Sequence, residues 1–189
     1  MTDYPVIHFE SDQDWEQWLE ENAASAQGVW IKMARKGSGI PSINYQEALR
    51  TALCFGWIDG QSKRIDEVFF MQKFTPRRPK SMWSKRNREL VAELIAAGRM
   101  RPAGLAQVEQ AKQDGRWEAA YDSPANAQVP EDLQAALDAN PAARDFFAAL
   151  NSTNRYAVLH RIMTAKRPET RQRRIEKIIA MLNEGKTFY

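Results

Sequence analysis

A single cysteine, Cys54, stands in a chain of 189 residues. That excludes an intramolecular disulfide and fits a reducing compartment. Histidine is almost as scarce. His8 and His160 are the only two, far apart, and neither has a ligand-spaced neighbour, which argues against a metal centre. No apolar run approaches the roughly 20 residues needed to cross a bilayer. The amino-terminal MTDYPVIHFESDQDW carries acids where a secretion signal needs cations, and it lacks a long apolar stretch. These absences predict a cytoplasmic protein. Glycine is sparse as well. The turn Gly37-Ser38-Gly39-Ile40-Pro41 lacks the further glycines and the Gly-Lys-Ser/Thr ending of a phosphate loop. Nothing in the sequence calls for a cofactor.

Charge is plentiful but unevenly spread. Residues 1–59 hold 4 Lys/Arg against 9 Asp/Glu, and residues 60–101 hold 11 against 4. The sign reverses over 102–154, with 3 against 8, and again over 155–177, with 8 against 2. Alternating blocks can pair within the fold or across a dimer, or leave a basic face for an anionic partner. The densest cations lie among aromatics. Ala52 to Gly60 reads ALCFGWIDG and Lys73 to Asn87 reads KFTPRRPKSMWSKRN. Rings that want burial and cations that want water meet there, as on surfaces that bind anions or nucleic acid.

Periodicity predicts an α+β architecture. Ser11 opens a helix with Trp15, Trp18 and Leu19 on one face, and Asn44 caps another with Glu47 at its third position. Gly56 ends that second helix. Alternation marks strands at Val6 to Phe9, Val29 to Lys36 and Val68 to Phe74, with another element starting at Trp57. Thr75 to Ser81, with two prolines, reads as an irregular loop. From Ser84 onward the pattern is helical. The first of these helices has Leu90, Val91, Leu94 and Ile95 on one face. A polar linker at Asp122 to Val129 divides an α+β N-terminal domain, 1–122, from a helical C-terminal domain, 123–189.

The candidate site follows from these elements. Arg77 and Arg78 can fork onto phosphate or carboxylate oxygens, Ser84 sits at a helix start where anions settle, and Trp83 could stack on a ring or cap the core. Asp59, Arg64, Lys80, Lys85 and Asn87 complete the ligand-binding set. Asp59 paired with Arg64 or Arg77 would organise the loop. Alternatively, Asp59 and the arginines would act as an enzyme on a phosphorylated or carboxylated small molecule. Lys166, Arg167, Arg171 and Arg174 form a second basic patch, read as a solvated face or a binding site. Cys54, late in its helix, reads as a small core residue rather than a nucleophile. The partners expected are an anionic small molecule or an acidic macromolecule, with nucleic acid and a homo-oligomer as further alternatives.

Several motifs resemble those of the YdeI/OmpD-associated, or bacteriocin-protection, proteins. They are Trp15-x-x-Trp18-Leu19, Tyr45-x-Glu47-Ala48-Leu49, Ala52 to Gly60, Phe74-Thr75-Pro76-Arg77-Arg78 and Ser81-x-Trp83-Ser84-Lys85-x-Asn87. Gly98-Arg99-Met100, Gly115-Arg116-Trp117, Ala165 to Arg171 and Arg174-Ile175 continue the resemblance over nearly the whole chain. It implies a stress role in resistance to bacteriocins or cationic antimicrobial peptides. It implies no catalytic residues.

Overall fold

The computed structural model describes residues 4–124 and 126–189. Met1, Thr2 and Asp3 of the amino-terminal stretch, and Ala125 of the linker, lie outside the described residues. The chain forms two compact units, Met1–Ala120 and Tyr121–Tyr189.

In the first unit a four-stranded sheet carries helices on one face. Strands β1 (Val6–His8), β2 (Val29–Ala34), β3 (Trp57–Arg64) and β4 (Phe69–Pro76) lie in the order β1-β2-β4-β3, with β1 parallel to β2 and the other pairs antiparallel. Helix α1 (Asp12–Asn22) starts at Ser11, where a reciprocal capping box with Asp14 satisfies two orphan N–H groups. Helix α2 (Tyr45–Cys54) repeats the device with Asn44 and Glu47. Trp15 and Leu19 are fully buried against Leu49, Trp57 and Phe74, and the indole N–H of Trp15 donates to the Ala48 carbonyl at 3.1 Å. Helices α3 (Lys85–Ala96) and α4 (Pro102–Gln113) complete this unit.

Two expectations need correction. Strand β4 runs through Thr75 and Pro76, which pair with Ile58 and Trp57, so the irregular loop starts only at Arg77. Proline is tolerated there because β2 ends opposite Phe74, leaving Pro76 beyond the ladder on that side. In α3, Val91 and Leu94 are buried but Ile95 is 44% exposed, at the edge of the stripe. Trp30, opposite in direction to Val29 and Ile31, is buried at 6% exposure outside the helix-side core.

Part of the charge alternation closes inside this unit. Arg99 bonds Glu16 at 3.2 Å and Asp12 at 3.5 Å, while Arg101 bonds Glu16 at 3.1 Å and Glu20 at 2.7 Å. These pairs tie the α3–α4 connection to α1.

The second unit contains α5 (Glu131–Asp138), α6 (Pro141–Ala149), α7 (Ser152–Met163) and α8 (Pro168–Asn183). Leu133, Leu137, Phe147, Leu159, Ile162, Ile175, Ile178 and Leu182 form its core. Among the described residues no helix is long and apolar enough to cross a membrane.

Candidate functional site

The basic loop after β4 is built around a buried stack. Arg77 is 5% exposed; its guanidinium lies 3.6 Å from the Trp83 ring centre and donates through Nη1 to the Met82 carbonyl at 3.2 Å. Trp83, 2% exposed, meets Trp117 edge-on at 4.9 Å, and Arg88 donates to the Trp117 carbonyl at 2.7 Å. A second buried arginine, Arg116, grips Asp114 at 2.8 Å and donates to the Ser81 carbonyl at 2.8 Å. Two guanidinium groups thus hold consecutive carbonyls of one short loop. Each such bond to a charged donor contributes about 1.5–3 kcal/mol when buried. The role of Arg116 has no local sequence signal, because its partner lies 35 residues away.

The structure divides the predicted set by depth. Arg77, Trp83 and Asn87 are buried; Arg78, Lys80 and Lys85 are exposed, with Arg86 beside them. The Ser84 hydroxyl accepts the Asn87 N–H at 3.1 Å and so acts as the cap of α3. Arg86 donates to Gln46 and leaves its charge outward. Asp59 stands elsewhere: its carboxylate accepts the Tyr45 hydroxyl at 2.9 Å. Arg64 instead pairs with Glu67 at the tip of the β3–β4 hairpin. The envisaged Asp59–Arg64 pairing is therefore replaced by two local ones.

In the second unit, Lys166 and Arg167 are exposed, but Arg171 and Arg174 serve the fold. Arg171 pairs with Asp132 at 2.5 Å and donates to the Ile162 carbonyl at 2.9 Å. The Arg171 hydrogen bond, joined by its charge, holds the Asp132 carboxyl below its usual range. Arg174 reaches the Arg161 carbonyl at 2.5 Å. Both cations sit at the C-terminal end of α7, where the last carbonyls favour positive charge. A cavity of about 480 Å³, missed by sequence reasoning, opens among Tyr121, Ser152, Tyr156, His160 and Arg161. Burial pushes the Tyr156 phenol up to about 12 and lowers the His160 imidazole, which packs edge-on to Tyr121 at 4.8 Å.

Cys54 is fully buried, its thiol donates to the Arg50 carbonyl at 3.3 Å, and burial raises its pKa. A thiolate is the reactive form. Native protein at neutral pH should therefore resist thiol reagents and react fully once unfolded; rapid stoichiometric labelling of the native state would contradict this. Among the described residues no group of three His, Cys, Asp or Glu is placed to hold a metal.

Residues 7–107, more than half of the chain, match the family model of a domain of unknown function, DUF8412. Residues 126–185 match the model described as bacteriocin-protection, YdeI or OmpD-associated. The YdeI/OmpD-associated resemblance read across nearly the whole chain is thus matched over residues 126–185 only, and the motifs from Trp15 to Met100 fall in the DUF8412 match instead. No curated protein and no solved structure matches the chain.

Proposed function

Because this chain belongs to the DUF8412 family and carries a YdeI/OmpD-associated segment, we propose that it binds an anionic ligand or partner through its basic loop, in a stress or bacteriocin-resistance setting. The supporting observation is the division by depth. Arg78, Lys80, Lys85 and Arg86 face outward from a backbone that Arg77 and Arg116 already hold. Little ordering entropy is then lost on binding. Such a surface repels a cationic peptide. A protective role would act through an anion, not through capture of the toxin.

Arg78 and Lys80 are the contact residues, because both are exposed and sit on the fixed loop. The enzymatic alternative has less support, since Asp59 and Arg64 are engaged with Tyr45 and Glu67. The test is a thermal-shift panel of inorganic phosphate, pyrophosphate and phosphorylated metabolites at low and moderate salt. Arg78→Gln with Lys80→Gln should weaken the responding anion by tenfold or more, taking about 1.5 kcal/mol per charged hydrogen bond, with the unliganded melting temperature unchanged. An equal shift in the double variant, or no shift with any anion at low salt, would refute the loop as the site.

A further inference from the structure

The face of the sheet opposite the helices has a chemistry of its own. Alternate strand positions build it. Trp30 lies opposite Lys73, Lys32 opposite Met71, Met71 opposite Lys63, and Ala34 opposite Phe69. The intervening residues Ile31, Met33 and Phe74 point into the helix-side core, to which Trp30 does not belong. What covers Trp30 is lysine: the Lys63 and Lys73 ammonium groups stand 4.6 and 5.6 Å from its ring centre. Lys32 stands 3.9 Å above the Phe69 ring in the same way. Lysine stems bury apolar surface while their charged heads stay in water.

Three ammonium groups are gathered over two rings, and among the described residues few carboxylates are near to neutralise them. Asp59 is the single carboxylate in the four strands, and it lies on the helix side, bonded to Tyr45. At the rim, the Asp66 carboxylate accepts the N–H groups of Val68 and Phe69 at 2.7 Å each and also acts through its charge on Lys32 and Arg35, so it offsets part of the charge at that end of the face. Like charges so placed repel one another, and a run of phosphates would relieve that repulsion. A lysine drawn off its ring onto a phosphate uncovers an aromatic face, which an unpaired base can occupy. A duplex offers phosphates but keeps its bases stacked inside, and an acidic peptide offers no series of rings.

We propose that this open sheet face binds single-stranded nucleic acid, with phosphates on Lys32, Lys63 and Lys73 and unpaired bases on Phe69 and Trp30. The residues differ from those of the Arg78–Arg86 loop, so either assignment can fail alone.

Fluorescence anisotropy of the full chain with labelled oligothymidylate and oligouridylate tests it. Neutralising three phosphates predicts a loss of affinity on the order of 20-fold between about 50 mM and about 200 mM salt, from a slope near −0.7 per contact. Lys63→Gln with Lys73→Gln should lower affinity about tenfold or more and reduce the slope by about 1.4. The corresponding double arginine variant should keep the slope. Phe69→Leu should weaken binding about fivefold or more at unchanged slope, the mark of lost stacking. Arg78→Gln with Lys80→Gln should leave this binding intact. The proposal is overturned by no binding at low salt, by equal affinity for a duplex, by equal competition from polyglutamate, or by lysine variants that bind as the parent does.

Discussion

Gly104→Ala should lower the stability of the first unit by about 3 kcal/mol or more, the upper end of what overpacking costs. A Cβ at position 104 would stand 2.2 Å from the Cys54 carbonyl oxygen and 2.9 Å from that of Leu53. Those atoms are backbone at the end of α2 and cannot rotate aside. Helix α4 would have to lift, straining the hydrogen bond from the Arg101 N–H to the Cys54 carbonyl at 3.0 Å and the packing of Val108 and Ala111. Alanine's better helix propensity favours the variant by only about 1 kcal/mol, so the steric term wins. Calorimetry should show one transition falling by roughly 10 °C, and Cys54 should become accessible to thiol reagents. A variant that melts at or above the parent temperature, with its thiol still protected, would show that the helices can part without cost.

Local signals were legible and long-range partners were not. Ser11 and Asn44 announce helix starts because their acids lie three residues on, within one turn. Gly56 announces a helix end because φ is +75° there, a conformation other residues adopt at a cost. The buried stripe of α1 follows from the spacing of Trp15, Trp18 and Leu19 alone. The sheet order does not, since no local pattern says that β4 inserts between β2 and β3. Arg77 and Arg78 are indistinguishable as neighbours in a proline-rich loop, yet one lies against Trp83 and the other in solvent. The pairing of Arg99 and Arg101 with acids more than 80 residues earlier was readable only as a balance of blocks. Trp30 shows the same limit: alternation sets its direction, but its cover comes from lysines on two other strands.

Trp83→Ala should cost about 3–5 kcal/mol, as expected for a fully buried indole, and should remove anion binding at the loop with it. The ring is the floor on which the Arg77 guanidinium lies and the wall against which Trp117 packs. Without it, Arg77 borders a cavity and the Arg77–Met82 contact that fixes the loop loses its backing. Trp83→Phe separates this scaffold role from direct contact with a ligand. It keeps an aromatic face under Arg77, so binding should persist while stability falls by a smaller amount. Were Trp83 instead a stacking platform for the ligand, the phenylalanine variant would weaken binding at unchanged melting temperature. The comparison with Arg78→Gln and Lys80→Gln completes the test, because those changes should lose the ligand at full stability. Loss of binding should therefore track unfolding for the buried residue and be independent of it for the exposed pair. The reverse pattern would place the contact surface on the indole rather than on the outward cations.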